Sequence, residues 1–333
     1  MLLKKNNPYY DPSKPHHTPD GFCNPQPIMI KQRDVFRWNW ERFSQRLPKP
    51  PKQGYAEFAR HWYQQPDFNL PDNRLWWISH ATILLRLRDC TIITDPVFSQ
   101  RVSPVSFIGP KRRTQPAATI DELPDIDVIA LSHNHYDHLD RASIIQLARR
   151  FPSITAVVPL GLKPKMLNMG VKNVIELDWW ESANCKGIHF HCVPAQHWSQ
   201  RGIFDRNQSL WCGWIMQVAE SFTYFSGDTG FNEFMFQQIA ARFPRIDMAA
   251  IQIGAYAPRW FMQNQHIDPQ QAVEIFKILH CRHAIGMHWG AFELADEPLD
   301  EPPQLLAEAC AQQQIPCGKF ESIRMGASRP IST

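Results

Sequence analysis

From Arg74 onward, short apolar runs follow one another at close spacing: Arg74–Ser79, Thr82–Arg88, Thr91–Thr94 and Ile126–Leu131 read as strands. A helical spacing over Arg141–Arg150 then alternates with strand patterns at Thr155–Val158 and Val174–Leu177, separated by a short helix around Leu162–Met169. Three further strand patterns, Gly187–Val193, Trp211–Val218 and Phe222–Ser226, come in quick succession. The last third alternates, with helix Asn232–Arg242, strand Met248–Ile253, helix Pro269–Leu279, strand His283–Met287 and helix Pro303–Gln313. Strand runs mixed with strand–helix alternation, twice over, predict an α/β fold: a four-layer αββα sandwich of two mixed sheets with helices outside. No internal repeat points to a solenoid or propeller.

Before Arg74 the pattern changes. Residues 1–70 are rich in Pro, Asn, Gln and basic residues, and predict an arm wrapped on the core, with short helices around 33–47 and 54–64. The expected division is therefore an arm over 1–70 and a catalytic domain over 71–330. Net charge is only +3, yet residues 1–60 carry eleven Lys/Arg against five Asp/Glu. That excess suits either a solvated arm or attraction to an anionic membrane, where each near-surface cation contributes about 1 kcal/mol. Trp38, Trp40 and Phe43 lie among those charges and are candidates for interfacial insertion or for packing on the domain. No recognised nucleic-acid motif accompanies them, so nucleic acid is not an expected partner.

The composition, 44% hydrophobic with 12 Trp and 20 Phe, belongs to a globular protein with a sizeable core. No apolar run reaches the roughly 20 residues that span a bilayer, and the start lacks a secretory signal, so the expected location is cytoplasmic, with peripheral membrane contact. Eight cysteines without a Cys-x-x-Cys pair read as reduced thiols. The oligomeric state is left open, a homodimer being one outcome.

The chemistry is concentrated in Ser132-His-Asn-His-Tyr-Asp-His-Leu-Asp140, between a strand pattern and a helical one. Imidazole and carboxylate are first-choice ligands of borderline divalent metals, and His133, His135, Asp137 and His138 are too close in sequence to surround one tetrahedral ion, so two ions are expected. His197, Asp228 and His288 each stand at the end of a strand pattern or just after it, where loops of stacked sheets converge.

His133-x-His135-x-Asp137-His138 with His197, Asp228 and His288 resembles the metallo-β-lactamase superfamily. Flanking phrases, among them Trp77-Ile-Ser-His-Ala-Thr, Asp95-Pro-Val-Phe-Ser, Gly227-Asp-Thr-Gly, Gln265-His-Ile-Asp-Pro and His288-Trp-Gly-Ala-Phe, are similar to the N-acyl-phosphatidylethanolamine-hydrolysing phospholipases D over roughly residues 25–325. The resemblance implies two Zn2+ ions, other divalent metals being alternatives: His133, His135 and His197 on one, Asp137, His138 and His288 on the other, and Asp228 between them. It also implies Asp95 as an outer residue orienting a ligand imidazole, and His266 as a catalytic residue beside Asp137 and Asp228, touching phosphate or protonating the leaving alcohol. Tyr256, Arg259, Trp260 and Phe261 are candidates for a lipid-facing wall, while His80, His189 and His191 are read as structural.

The function implied is hydrolysis of N-acyl-phosphatidylethanolamine or a related phospholipid to phosphatidic acid and the alcohol headgroup, by attack of a metal-bridging hydroxide on phosphorus. Two alternatives keep part of this picture. One is a hydrolase of the same fold acting on another ester, a lactone or a soluble phosphodiester; the other is a non-enzymatic, zinc-stabilised membrane-binding module.

Overall fold

In the computed structural model, which describes residues 7–27, 31–71, 73–105 and 107–331, side chains alternate strictly between two apolar layers. Trp77, Ile83, Leu85, Ile92, Val128, Ala130 and Val157 join one buried cluster. Their chain neighbours Trp76, Ile78, Leu84, Ile93, Ile129, Leu131, Ala156 and Val158 join a second. A strand's period of two sends successive side chains to opposite faces, so a run apolar at every position is a strand covered on both sides.

The described strands, in chain order, are β1 (His17–Thr18), β2 (Gly21–Phe22), β3 (Arg74–Ser79), β4 (Thr82–Leu87), β5 (Cys90–Thr94), β6 (Val128–Ala130), β7 (Thr155–Pro159), β8 (Asn173–Leu177), β9 (Ser182–Cys185), β10 (Ile188–Val193), β11 (Gly213–Val218), β12 (Ser221–Phe225), β13 (Ile246–Gln252), β14 (Cys281–Met287), β15 (Phe320–Glu321) and β16 (Ser328–Pro330). The helices are α1 (Gln32–Gln45), α2 (Tyr55–His61), α3 (Arg141–Arg150), α4 (Lys163–Asn168), α5 (Glu233–Arg242), α6 (Arg259–Met262), α7 (Pro269–Ile278) and α8 (Glu301–Gln312). Two seven-stranded sheets result, in the orders β16-β3-β4-β5-β6-β7-β8 and β15-β14-β13-β12-β11-β10-β9.

Each sheet is antiparallel through its early strands and parallel through its later ones, from β5 to β8 in one and from β12 to β15 in the other. Parallel pairing requires crossovers, and α3, α4, α5, α7 and α8 supply them. The buried residues of α3 and of α4, Ile144, Leu147 and Met166, lie in the second cluster; those of α5 and α7, such as Ile239 and Val273, lie in the first. This is the expected four-layer arrangement. Its consequence is that the carboxyl ends of β5, β6, β12, β13 and β14 open on one edge.

The arm is more ordered than its composition implies. The β1–β2 hairpin holds its neighbours in place: Nε2 of His16 and of His17 lie 2.7 and 2.9 Å from the two oxygens of Asp178, and the Lys14 ammonium is 2.6 Å from the same carboxylate. A carboxylate already met by an ammonium and two imidazoles is a latch rather than a metal site. Asn24 reaches further in, donating to the His197 carbonyl at 2.7 Å and accepting from the Trp211 indole N–H at 3.1 Å. Residues 1–6 and 28–30 of the arm lie outside the described residues. Among the described residues no helix is long and apolar enough to cross a membrane.

Candidate metal centre

His133, His135, Asp137 and His138 occupy the loop between β6 and α3, and Asp140 caps that helix by accepting from the Ala142 N–H at 3.3 Å. His197 follows β10, Asp228 follows β12 and His288 follows β14. Gly227 is required next to Asp228: its φ is +55°, and a Cβ there would lie 2.7 Å from that of Ser132 and 2.9 Å from the Cys212 carbonyl oxygen.

The seven side chains converge in two groups. In one, Nε2 of His133 and Nε2 of His197 lie 2.9 and 3.1 Å from Nδ1 of His135. In the other, Nε2 of His138 and Nε2 of His288 are 3.2 Å apart, and each is 3.4 Å from Oδ2 of Asp137. Asp228 stands between the groups, its Oδ2 3.1 Å from His138 and 3.8 Å from His197, its Oδ1 3.0 Å from His288.

The outer partners fix which nitrogens carry lone pairs. The His197 Nδ1–H donates to the Gln265 carbonyl at 3.0 Å, and the His138 Nδ1–H donates to Oδ2 of Asp95 at 2.6 Å. The Ser132 hydroxyl donates to the same Asp95 oxygen at 2.5 Å and so accepts from His133 Nδ1 at 2.9 Å. All three rings therefore turn Nε2 inward, the nitrogen that a metal ion would take. Oδ1 of Asp228 is buried without an aligned hydrogen bond, Nε2 of His288 lying 3.0 Å from it. Converging ring nitrogens and a carboxylate oxygen so placed are an arrangement that a dication resolves, and zinc–nitrogen bonds of about 2.0–2.1 Å would set ligand nitrogens about 3.3 Å apart. The residues present fit the two-metal group.

The electrostatics agree. Burial, reinforced by neighbouring imidazoles, pushes His135 down to about 3, and burial brings His197 to about 4, so both stay neutral and able to ligate. Burial alone would also lower His138 and His288, but Asp228 and Asp137 outweigh it, raising His138 well above the usual imidazole range and His288 to about 9. The buried carboxylates demand positive charge, which these imidazoliums supply when no metal does.

His266, expected to act on substrate, has its Nδ1 3.9 Å from Oδ2 of Asp228 and 2.5 Å from Nε2 of Gln252. The Gln252 amide is oriented by the Thr229 N–H on its oxygen and the Gly254 carbonyl on its nitrogen. Nδ1 of His266 therefore accepts, and Nε2 carries the hydrogen. His266 lines a cavity of about 950 Å³ together with His135, Asp137 and Asp228.

The expected lipid wall needs correction. Phe261 lines the cavity, but Tyr256 is buried and donates to Glu301 at 2.6 Å. Arg259 is spent on the His266 carbonyl, Gln271 and Asp268. Trp260 is covered by the Arg37 guanidinium, 4.3 Å from the ring centroid. Backbone polar groups and charges in this loop need partners, and those partners claim the side chains. His80, read as structural, instead has Nε2 3.1 Å from Oδ2 of Asp137 and its ring 4.0 Å from that of His288. A register shift between Trp77 and Ser79, and a φ of +47° at His80, turn it into the site. Arg112 was not anticipated: buried, it ties the β3 and β5 ends together through Ser79 Oγ at 2.6 Å and the Val97 carbonyl at 2.7 Å.

Comparison with known proteins agrees with this fold. Residues 91–289 match the β-lactamase superfamily domain. The N-acyl-phosphatidylethanolamine-hydrolyzing phospholipase D 1 of Caenorhabditis elegans is 41% identical over 264 residues, 75% of this chain and 73% of that protein. The mitochondrial enzyme of the same description in Saccharomyces cerevisiae is 36% identical over 236 residues, 69% of this chain but 50% of that protein. Among solved structures, a possible metal-dependent hydrolase of Veillonella parvula superposes with a TM-score of 0.64 at 16% identity, over 79% of this chain and 100% of that one. The chain belongs to the β-lactamase superfamily of metal-dependent hydrolases and, within it, to the family of the N-acyl-phosphatidylethanolamine-hydrolysing phospholipases D.

Proposed function

We propose that this protein is a dinuclear zinc phosphodiesterase that hydrolyses N-acyl-phosphatidylethanolamine, or a closely related phospholipid, to phosphatidic acid and an N-acylethanolamine at a membrane surface. The observation that carries the substrate class is the cavity. Its floor holds His135, Asp137, Asp228 and His266, and its walls include Val35, Trp38, Ile203, Phe261, Met262 and Leu294, apolar side chains from four separate segments. A polar floor under apolar walls matches a phosphodiester attached to acyl chains.

His133, His135 and His197 would hold one ion, Asp137, His138 and His288 the other, with Asp228 shared. When bound, the two ions supply Lewis-acid charge for phosphate oxygens and lower the pKa of a nucleophilic water. The chain's own residues do the rest. Asp95 and Ser132 keep the imidazoles in the ligating tautomer, and Asn24 and Gln265 hold His197 from backbone and ring. The Nε2–H of His266 offers a hydrogen bond to a phosphate oxygen or to the leaving alcohol, favouring charge that develops as the P–O bond breaks.

Docking follows from α1, which buries none of its residues. Phe36, Trp40 and Phe43 are exposed on it, and the loops that reach the cavity expose Phe107, Ile108, Ile203 and Phe204. Arg33 and Arg37 lie on the same helix beside these aromatics, and this face suits an anionic bilayer; Arg42 turns the other way, donating to the Glu293 and Leu294 carbonyls.

The test is release of N-acylethanolamine from labelled substrate in vesicles. Wild type should release it, and Asp228→Ala and His135→Ala should not. Turnover unimpaired in both variants would remove the metal centre from the reaction. Neutralising Lys31, Arg33 and Arg37 together should weaken vesicle binding; unchanged binding would remove α1 from the docking face.

A further inference from the structure

Beside the catalytic cavity lies a second one, of about 400 Å³, whose wall brings together Arg101, Arg141, Lys165 and Arg201 against a single acid, Asp140. These cations come from four places: the segment after β5, the first position of α3, the α4 helix and the loop after β10. Asp140 does little to neutralise them. Its Oδ2 already accepts from the Ser99 N–H at 3.1 Å and the Ser143 hydroxyl at 2.5 Å, and its Oδ1 faces the Ala142 N–H. The side chains of Arg141 and Lys165 make no hydrogen bond or ion pair among the described residues. Ser103 and Asn168 add neutral hydrogen-bonding groups to the same wall.

From this concentration of unneutralised positive charge in a concave polar site, we propose that the small cavity is an accessory binding site for a phosphate monoester dianion. A phosphomonoester carries about −1.5 to −2 charge at neutral pH and three strong acceptor oxygens, which is what convergent guanidinium and ammonium groups recognise. A phosphodiester substrate, with one charge, is the poorer match.

Position suggests what occupancy does. Arg201 and Tyr136 line both cavities. The Arg201 guanidinium lies over the Tyr136 ring, 3.9 Å from its centroid, and donates to the Asn134 carbonyl at 2.9 Å and the Leu139 carbonyl at 2.6 Å. Those carbonyls belong to the loop that carries His133, His135, Asp137 and His138. An anion drawing on Arg201 therefore acts on the residue that fastens the metal-binding loop. Two sources share the required chemistry, free phosphate and a lipid phosphomonoester. Naming phosphatidic acid, the reaction's own product, as the lipid source rests on the function proposed above; the anion site itself does not.

The experiment is calorimetric titration of the metal-loaded full chain with inorganic phosphate and, separately, with a short-chain phosphatidic acid below its micellar concentration. Wild type is compared with Arg141→Gln/Lys165→Gln, which touches neither the metal ligands nor Arg201. Phosphate also meets the metal centre, so wild type should show two classes of site. The double variant should keep one class and bind the other about tenfold more weakly, with an unchanged melting temperature. Weakening for both titrants assigns the site to the phosphate group itself, and weakening for phosphatidic acid alone assigns it to the lipid; both support the proposal. Isotherms shifted by less than threefold for both titrants overturn it, whether or not the chain hydrolyses N-acyl-phosphatidylethanolamine.

Discussion

Asp95→Asn is the substitution whose outcome the hydrogen-bond network dictates most fully. Asp95 is buried and meets three donors: the Ser132 N–H at 2.7 Å, the Ser132 hydroxyl at 2.5 Å and His138 Nδ1 at 2.6 Å. Asparagine keeps the shape but turns one oxygen into a donor. With its oxygen on the Ser132 N–H, its NH2 faces both the Ser132 hydroxyl and His138. The His138 proton then moves to Nε2, and the Ser132 hydroxyl turns to donate to His133 Nδ1, moving that ring's proton to Nε2 as well. One substitution thus withdraws a lone pair from each group of ligands. A single outer partner contributes about 10- to 100-fold to metal affinity or activity. With two ligands affected, the upper end is expected, about 100-fold or about 2.7 kcal/mol. Hydrogen bonds are rearranged rather than lost, so the metal-free fold should melt within a few degrees of wild type. Metal content by mass spectrometry after dialysis against graded chelator, with turnover measured in parallel, reads the effect. A variant that keeps two ions per chain at wild-type affinity and turns over normally would refute the tautomer reasoning.

Asn24→Ala leaves the buried His197 carbonyl without its donor and the His197 N–H without its acceptor, while the Trp211 indole N–H keeps the Ala195 carbonyl; about 1–3 kcal/mol of stability should be lost by denaturant unfolding, together with metal affinity. Gly227→Ala forces a Cβ to within 2.7 Å of Ser132 at a positive φ, and should lower metal occupancy and melting temperature together. Metal removal by chelation should lower the melting temperature in a metal-concentration-dependent way, by about 2.7 kcal/mol of stability relative to metal at a hundred times its dissociation constant. Burial raises the Glu297 carboxyl to about 7. A raised folded pKa means stability that is present at low pH and lost as pH rises through 7, so the melting-temperature loss in Glu297→Gln should be larger at pH 5 than at pH 8.5.

What the sequence revealed and what it hid divide along physical lines. The convergence of His133, His135, Asp137 and His138 was legible because four metal-ligating residue types share one loop, and that of His197, Asp228 and His288 because each closes a strand pattern. The first sheet was legible because β3 to β7 are apolar on both faces. The contacts of His80, Asn24, Gln265 and Arg112 with the site were not, since each depends on a partner distant in sequence. Asn24 meets His197 only because the arm crosses the sheet edge, and His80 reaches Asp137 only through a register shift. β9, polar at alternate positions, and β16, which returns from the chain's end to pair with β3, likewise have no strong local signal. Helix α1 was read from its spacing, but that it keeps no buried residue is a tertiary fact.

The account stands most directly on where the bond breaks. Metal-loaded protein should be incubated with N-acyl-phosphatidylethanolamine vesicles in 18O-labelled water and the products analysed by mass spectrometry. Equimolar N-acylethanolamine and phosphatidic acid, with the label in the phosphate, is the predicted result. Label in a released fatty acid, or no products from a chain holding two metal ions, would contradict it.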